Sequence, residues 1–452
     1  MPRSLLLKNA DLLVTMDPSR REIAHGGVYC VGPEIKAVGP TACLPMTADE
    51  VIDLSGHIIC PGLINTHHHM FQTLTRAVGA AQNATLFEWL KTLYPIWNGL
   101  TPEMIQVSTM TAMAELLLSG VTTTSDHLYV FPNGSSLGDS IEAAQTIGMR
   151  FHAGRGSMSI GESQGGLPPD SLVETEAFIL TDCQGLIETH HDPRRFSMLR
   201  LVIAPCSPFS VSEELMRDSA ELARHYGVSL HTHLAENDDD VAYSLDRFGK
   251  SPAQYAEGLG WTGPDVWHAH CVKLDRDGID VFGRTGTGIS HCPCSNMRLG
   301  SGIAPILEMR ASGVPLGLGV DGSASNDGAH FLSEARQAML LQRVQNGAGA
   351  MSARDAFEIA TLGGAKLLNR DDIGSLQPGM AADLAVFDLR QLAYAGARSD
   401  PLAALIFCGA TRAAFTIVNG RLIVREGVLT TVDEGNLVER HQRLSTQLLS
   451  GH

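Results

Sequence analysis

Short apolar runs alternate with longer, helix-like segments between about residue 58 and residue 368. The segments repeat apolar side chains with a period near 3.6 residues and usually end at glycine, as helices do. Eight strand and helix units follow one another, and their apolar runs are HIICPGLINTH, GVTTTSDHLYV, MRFHAGRG, LRLVIAPCS, GVSLHTHLAE, DVWHAHCV, GTGISHCP and PLGLGVDGS. This alternation predicts a parallel sheet, and eight repeats predict an α/β fold closed as a TIM-like (β/α)8 barrel. An open, doubly wound sheet is the alternative.

Both ends of the chain have a different pattern, with short alternating runs that are broken by Gly, Pro and Asp. Such runs are typical of β-strands, and the Asn419-Gly420 pair predicts a hairpin turn between two of them. We therefore expect residues 1–57 and 372–435 to form one small β-sandwich domain. The barrel would then occupy residues 58–371, and residues 436–452 would form a helical tail.

Composition bounds the size and the partners of the molecule. A chain of 452 residues exceeds what one hydrophobic core usually supports, which agrees with a large domain beside a small one. Lys and Arg number 33 against 49 Asp and Glu, so the net charge of −16 argues against nucleic acid and anionic membranes as partners. A small, neutral or cationic molecule is the expected partner, and a homo-oligomer is left open.

The nine cysteines are an odd number and show no framework of paired spacings. No segment resembling a signal peptide precedes the first strand-like run, and no apolar run reaches the roughly 18 residues that would span a bilayer. The sequence therefore predicts a reduced, cytoplasmic protein.

Imidazole and carboxylate groups follow five of the predicted barrel strands. The mouth of such a barrel is built at the carboxyl ends of its strands, where active sites lie. Because residues two apart on a strand share a face, His67 and His69 are expected to point together into the barrel while His68 points away. The residues at these five strand ends are His67, His68, His69, His231, His233, Glu236, His268, His270, His291 and Asp321.

Many polar groups in one barrel mouth are costly unless they bond one another or hold a cation. One buried histidine is usually only a packed core residue, but five such strand ends favour a metal site. Imidazoles with a carboxylate suit Zn2+ or Fe2+ better than Mg2+, which prefers oxygen ligands. Binuclear sites of this architecture commonly use a bridging lysine on strand four, and this chain has no lysine between Lys91 and Lys250. The fourth strand ends at Cys206 instead, so one metal ion is predicted.

Six motifs carry a resemblance to a known family: PGLINTHHH, HTHLAEN, HAHCV, HCPCSNMRLGSGIAP, LGVDGSASNDG and GSLQPGMAADLAVFD. They occur in order and resemble the amidohydrolase superfamily, in its branch of mononuclear aminohydrolases of nucleobases and related heterocycles. The resemblance covers essentially the whole chain. It implies one divalent ion, Zn2+ more than Fe2+, bound by His67, His69, His233 and Asp321.

The same resemblance implies roles for further residues. Glu236 would carry protons, His270 would hydrogen-bond the attacking hydroxide or the substrate, and Asp321 would take part in proton transfer. Gln72 would contact a heterocyclic substrate. We also expect substrate contacts from Trp97, Tyr129, His291 and Cys206, whereas His68, His231 and His268 are expected to be structural and the evidence for Asp126 and His127 is weaker.

Aromatic residues in LFEWLKTLYPIW and HLYVFP are candidates for the pocket walls, since flat surfaces suit a flat ring. They are Phe87, Trp89, Tyr94, Trp97 and Tyr129. Ordinary packing between helices is the alternative reading for each of them.

The resemblance also implies a reaction, the hydrolytic deamination of a guanine-like ring. Guanine deaminases typically have an Arg-Phe pair after strand four, where this chain reads PCSPFS, and the segments around strands one and two are most similar to deaminases of oxidised purines. The implied reaction is conversion of 8-oxoguanine to uric acid and ammonia. Hydroxyatrazine-type triazines, guanine, pterins and adenosyl or methylthio nucleosides remain alternatives, as does the hydrolysis of cyclic amides.

Two other classes of protein are disfavoured. Cytidine and tRNA-adenosine deaminases use an H-x-E and P-C-x-x-C signature, and the HCPCSN segment lacks that spacing. A metal-free binding protein would lack metal-binding residues, and the strand ends retain all of them.

Overall fold

The computed structural model describes residues 3–409 and 411–451. Residues 1, 2, 410 and 452 lie outside the described residues. The predicted segments 1–57 and 436–452 are therefore described except at these terminal positions. The first five strands are β1 (Ser4–Val14), β2 (Glu22–Val31), β3 (Glu34–Pro40), β4 (Glu50–Asp53) and β5 (His57–Pro61). Ten more follow: β6 (Leu63–Asn65), β7 (His68–His69), β8 (Val121–Leu128), β9 (Arg150–Ser157), β10 (Leu199–Pro205), β11 (Ser229–Leu234), β12 (Val266–His270), β13 (Gly288–His291), β14 (Leu316–Leu318) and β15 (Asp321–Gly322). The last four are β16 (Leu384–Asp388), β17 (Phe415–Val418), β18 (Arg421–Arg425) and β19 (Val428–Leu429).

Eight parallel strands close into a barrel in the order β6, β8, β9, β10, β11, β12, β13, β14 and back to β6. Every residue of β8 and β9 is buried, because one face of each strand fills the barrel and the other meets the surrounding helices. This confirms the predicted (β/α)8 barrel. The open, doubly wound sheet is excluded by the pairing of β14 with β6.

Most helices cover the outside of the barrel, and shorter ones lie within the connections at its two ends. Those in the first half are α1 (Leu86–Trp97), α2 (Pro102–Leu118), α3 (Leu137–Ile147), α4 (Glu176–His190), α5 (Glu213–Tyr226), α6 (Asp238–Phe248) and α7 (Pro252–Gly258). The others are α8 (Arg276–Thr285), α9 (Pro293–Arg298), α10 (Ile306–Ala311), α11 (Phe331–Asn346), α12 (Ala353–Glu358), α13 (Gly364–Leu367), α14 (Pro401–Phe407) and α15 (Glu434–Ser450).

Strands from both termini form a second domain, as the sequence predicted. They make one continuous nine-stranded sheet, in which β5 joins the N-terminal strands to β16 from the C-terminal part. Apolar side chains from both halves of this sheet pack together in a core of their own. The predicted Asn419-Gly420 hairpin turn connects β17 to β18, with φ values of 52° and 78°.

In the structure the chain passes from the terminal sheet to the barrel a few residues after the predicted boundary at residue 58. The run from Ile58 to Ile64 looks like one strand in the sequence, but it is divided at Gly62 into β5 of the terminal sheet and β6 of the barrel. A Cβ on Gly62 would lie 2.1 Å from the Thr122 hydroxyl, so only glycine allows the chain to pass from one sheet to the other here. The barrel therefore begins near residue 62.

A buried ion pair links the two domains. Arg150, at the start of β9, donates to both carboxylate oxygens of Asp383 at 2.9 and 3.0 Å, and Asp383 immediately precedes β16. The guanidinium also donates to the carbonyl oxygens of Phe196 and Ser197 and to the side chain of Asn419. Because its charge is paired and its donors are bonded, a fully buried arginine is tolerated here.

The C-terminal helix α15 starts at Glu434 and returns to the loop that follows β7. The Thr73 hydroxyl bonds His441 at 3.0 Å, and Ser445 donates to the carbonyl of Leu74 at 2.7 Å. This loop is a 3-10 helix, Met70–Thr75, and it contains Gln72. The C-terminal segment therefore supports a loop at the barrel mouth. Among the described residues, no helix has the length and apolar character needed to cross a membrane.

Candidate active site

A short extension of two barrel strands brings the first histidines beside Asp321. After β6 and β14 separate, the chain pairs again as β7 with β15, so that Asp321 faces His68 and Gly322 faces His69. The Asp321 amide donates to the carbonyl of His67 at 3.1 Å. This second ladder fixes the backbone of two neighbouring strand ends at the barrel mouth.

Four of the predicted side chains converge at this point. The His69 Nε2 atom lies 3.0 Å from Nε2 of His233 and 3.3 Å from Oδ1 of Asp321, and the His67 Nε2 atom lies 3.2 Å from the same carboxylate oxygen. All four residues are buried or nearly so. His68 is buried as well, but neither of its ring nitrogens has a hydrogen-bond partner in the part of the chain that the structure describes.

Hydrogen bonds on the far side of each ring fix where its lone pair points. Nδ1 of His69 donates to the carbonyl of His127 at 2.8 Å, and Nδ1 of His233 donates to the carbonyl of Cys206 at 2.6 Å. A carbonyl oxygen can only accept, so both rings carry their proton on Nδ1 and leave Nε2 unprotonated.

His67 reaches the same state through a second histidine. Its Nδ1 atom lies 2.7 Å from Nε2 of His231, and Nδ1 of His231 lies 2.9 Å from the carbonyl of Trp267. Since that carbonyl accepts the proton of His231 Nδ1, Nε2 of His231 is an acceptor and His67 must donate to it. Nε2 of His67 is therefore also unprotonated, and it has no hydrogen-bond partner among the described residues.

This arrangement fits a divalent cation. Three nitrogen lone pairs and one carboxylate oxygen lie close together, with three of their separations between 3.0 and 3.3 Å and no hydrogen-bond donor between those pairs, and such a set of acceptors is repulsive unless a cation lies among them. Burial lowers the pKa of His233 to about 3 and also lowers those of His67 and His69, so the imidazoles are neutral, as metal ligands must be. Imidazole nitrogens with one carboxylate oxygen are the ligand atoms typical of a transition-metal site.

His127 lies next to this cluster, although its position at a strand end gave only a weak signal in the sequence. One of its ring nitrogens is within 4.8 Å of a ring nitrogen from each of His67, His69 and His233. Nε2 of His127 donates to the carbonyl of Ala204 at 2.7 Å, and its ring stacks on His233 at 5.0 Å. His127 thus packs against the histidines that face the cation site.

Glu236 and His270 form an acid–base pair at the edge of the cluster. Oε2 of Glu236 lies 3.6 Å from Nε2 of His270, and that nitrogen lies 3.9 Å from Asp321. Burial raises the pKa of Glu236 to about 7. Burial alone would lower the pKa of His270, but Glu236, Asp321 and the bond of its Nδ1 to Asn296 raise it above its usual value. Glu236 can therefore exchange a proton near neutral pH.

A pocket opens directly onto these residues. Six residues predicted to contact the substrate or carry protons line it: Gln72, Tyr129, Cys206, Glu236, His270 and Asp321. Sequence reasoning did not single out several other lining residues, and these are Leu86, Leu90, Ser207, Phe209, Leu299 and Ser325. No lysine or arginine is among the described residues that line this pocket.

Trp97 and His291 do not line the pocket, although both were expected to contact the substrate. Trp97 is fully buried behind Phe71, and its indole nitrogen donates to Thr75 at 3.1 Å. It belongs to the packing of α1 against the loop after β7. His291 is buried at the end of β13, and neither ring nitrogen has a hydrogen-bond partner.

A larger groove of about 860 Å³ lies at the opposite end of the barrel, beside the start of β14. Four of its charged residues pair with one another, Arg20 with Glu358 and Arg310 with Asp355. No histidine is among the described residues that line this groove, so the smaller pocket at the cluster is the candidate active site despite its size.

The closed barrel and the buried set of imidazoles with one carboxylate define a barrel hydrolase of the kind that uses a divalent metal. The particular family follows from the sequence as a whole: a model of the amidohydrolase family matches residues 58–423. The chain belongs to this family and is a hydrolase acting on C–N bonds.

Three comparisons describe its relatives. The chain is 48% identical to the 8-oxoguanine deaminase of Pseudomonas aeruginosa over 88% of this chain and 89% of that protein. It is 36% identical to hydroxydechloroatrazine ethylaminohydrolase of a Pseudomonas species, over 95% of this chain and 91% of that protein. Among solved structures, the zinc complex of atrazine chlorohydrolase from Arthrobacter aurescens superposes with a TM-score of 0.94 at 34% identity, covering 98% of this chain and all of that one.

Proposed function

We propose that the protein deaminates an oxidised guanine-like ring, converting 8-oxoguanine and water to uric acid and ammonia. The observation that carries the proposal is the position of Glu236, a buried carboxyl group beside His270 and the acceptor cluster, on the wall of the pocket. A group with a pKa of about 7 there can both accept and donate a proton within one catalytic cycle.

His67, His69, His233 and Asp321 would hold the cation, with Zn2+ the proposed ion and Fe2+ the alternative. A zinc complex of a related hydrolase supports this choice. A divalent cation at this site would lower the pKa of a coordinated water from about 15.7 towards ~7, which supplies a nucleophile at neutral pH.

The side chains then account for both protons of the water. Glu236 accepts the first proton and passes it to a ring nitrogen, which makes the neighbouring carbon electrophilic. His270 hydrogen-bonds the oxygen that attacks this carbon. Asp321 accepts the second proton and transfers it to the exocyclic amine, so that the C–N bond breaks and ammonia leaves.

The choice of ring rests on two supports. One relative named as an 8-oxoguanine deaminase shares 48% identity with the chain. The pocket also has aromatic and apolar walls at Trp89, Leu90, Tyr129 and Phe209, which suit a flat neutral ring. Other relatives are named for isoxanthopterin and for triazines, so these rings belong in the test.

The test measures ammonia release by the metal-loaded protein on 8-oxoguanine, guanine, isoxanthopterin, a hydroxyatrazine-type triazine and a cyclic amide. The proposal expects the highest kcat/KM for 8-oxoguanine. A higher value for the triazine or the pterin would replace the proposed substrate. Ring opening of the cyclic amide without ammonia release from any other compound would replace the reaction itself.

Glu236→Gln tests the proposed proton transfer. The variant keeps the size and polarity of the side chain but cannot carry a proton, so kcat should fall by about 10²- to 10⁴-fold. Metal content, measured by atomic emission, should equal that of the wild type because Glu236 is not among the proposed ligands. Turnover near the wild-type rate would show that another group carries the proton.

A further inference from the structure

Helix α1 forms one wall of the active-site pocket. Three of its apolar side chains, Leu86, Trp89 and Leu90, line the pocket, and Tyr94 follows them at helical spacing on the same wall. A capping box between Thr85 and Glu88 fixes the start of the helix. These side chains therefore enter the pocket from a well-defined element rather than from a free loop.

The polar atoms of α1 differ in how they are bonded. The indole nitrogen of Trp89 donates to the carbonyl of Ala324 at 3.0 Å, and that of Trp97 donates to Thr75. The hydroxyl of Tyr94 has no hydrogen-bond partner within residues 3–409 and 411–451, although the residue is fully buried. A buried hydroxyl without a partner is costly, and in a binding pocket the missing partner is commonly the ligand.

An unpartnered tyrosine hydroxyl is not a site by itself. Tyr255, on α7, is also fully buried and unpartnered, but it packs against Phe248 and lies outside the pocket. Tyr94 differs because it lines the same pocket as Glu236 and Asp321. Its hydroxyl is therefore placed to meet whatever the catalytic groups act on.

The chemistry of this wall indicates what the hydroxyl meets. Burial raises the pKa of Tyr94 well above its usual value and raises that of Cys206, on the same pocket, to about 12, so both groups stay protonated and neutral. Glu236 and Asp321 supply the acceptors of the pocket. With no lysine or arginine among the described residues of the lining, no such side chain can pair with an anionic group beside Tyr94, whereas a neutral acceptor can pair with a phenol.

We propose that the Tyr94 hydroxyl donates a hydrogen bond to an exocyclic carbonyl oxygen of the substrate ring and so selects oxygenated purines. The inference rests on the proposed function, since it concerns the substrate of the same site. Tyr94 is then a specificity-determining residue that touches the ring, while Glu236 and His270 handle the protons.

The test compares the wild type with Tyr94→Phe, in metal-loaded protein, on three rings. These are 8-oxoguanine, guanine, which lacks the oxygen at position 8, and 2-amino-8-oxopurine, which lacks the oxygen at position 6. Tyr94→Phe should lower kcat/KM by about 10- to 100-fold for 8-oxoguanine and for the one analogue that keeps the recognised oxygen. The other analogue should be affected less than about 3-fold, because it has already lost that bond.

Tyr255→Phe is the matched control, since it removes a buried, unpartnered hydroxyl outside the pocket and should change none of the three kcat/KM values. The ratio of kcat/KM between two rings does not depend on the fraction of folded or metal-loaded protein, so partial misfolding of a variant cannot imitate the result. An equal loss on all three rings, or no loss on any, would overturn the role of Tyr94. Absence of ammonia from all three with the wild type would instead overturn the proposed function, and this inference with it.

Discussion

His231 offers a test of how the protein prepares its cation site. The side chain lies behind His67, accepts its Nδ1 proton at 2.7 Å, and donates in turn to the carbonyl of Trp267 at 2.9 Å. Phenylalanine at this position keeps the ring that stacks on Trp267 at 4.7 Å but removes both nitrogens. The perturbation in His231→Phe is therefore limited to the two hydrogen bonds that fix the tautomer of His67.

The expected effect is a loss of metal affinity. Without its acceptor, Nδ1 of His67 is a buried donor with no partner, and the ring is free to move its proton to Nε2, where the proton would block the ligand atom. Loss of a side chain that orients a metal-binding histidine typically costs 10- to 100-fold in affinity. This corresponds to about 1.4–2.7 kcal/mol of binding free energy.

The assay is competition for Zn2+ between the apoprotein and a chromophoric chelator, repeated with Co2+. The control is His268→Phe, on the neighbouring strand. His268 is equally buried, bonds the carbonyl of Trp261 at 3.0 Å and stacks on Phe282 at 5.1 Å, but it contacts none of the proposed ligands. Weaker metal binding is expected only in His231→Phe. Equal metal affinity of both variants and the wild type would show that the hydrogen bond to His231 does not set the tautomer of His67.

Two predictions concern stability. Burial raises the pKa of Glu334 to about 8, above the ~4.3 of an unfolded chain. The carboxyl group therefore loses its proton at a lower pH in the unfolded state than in the folded state. As a result, the free energy of unfolding falls as pH rises from about 4.5 to 8. Glu334→Gln keeps an acceptor for Asn326 but cannot ionise. In urea unfolding, the variant should therefore lose about 2–4 kcal/mol less free energy of unfolding than the wild type between pH 5 and pH 8. Parallel pH profiles of the two proteins would contradict this. Asp383→Asn leaves the buried Arg150 without its counter-charge and should cost about 3–5 kcal/mol in the same assay, whereas a cost below 1 kcal/mol would show that the domains are not coupled by this pair.

Hydrophobic patterning was sufficient to predict the architecture, because eight strand and helix units of similar length have one common way to bury their apolar faces. It was not sufficient to place the first domain boundary. Ile58 to Ile64 is apolar on both sides of Gly62, and both β5 and β6 are buried on both faces, so the change from one sheet to the other leaves no break in the pattern.

The candidate site was predictable only in part, for a similar reason. Histidines at strand ends are visible in the sequence, since the barrel places those positions at its mouth. The part of α1 that meets the pocket is not visible, because Leu86, Trp89, Leu90, Leu93, Tyr94, Ile96 and Trp97 form one buried apolar stripe, and the pattern does not show which of them line the pocket and which pack behind it. Trp97 was therefore assigned to the pocket although it packs behind it. The role of His231 depends on which ring nitrogen meets which neighbour, and spacing along a strand carries no such information.

The fold holds this site in an arrangement that its residues would not adopt alone. His270 and Asp321 have φ values of 69° and 60°, in the left-handed region that residues other than glycine avoid. Such conformations cost about 1–3 kcal/mol each and persist only where the surroundings enforce them. Here the Asp321 amide bonds the carbonyl of His67, and the Asp321 carboxylate accepts from Ser295 and Ser325. Together with the fixed tautomers of the histidines, these bonds order the acceptors before any cation arrives, so that binding does not have to supply the free energy of ordering them.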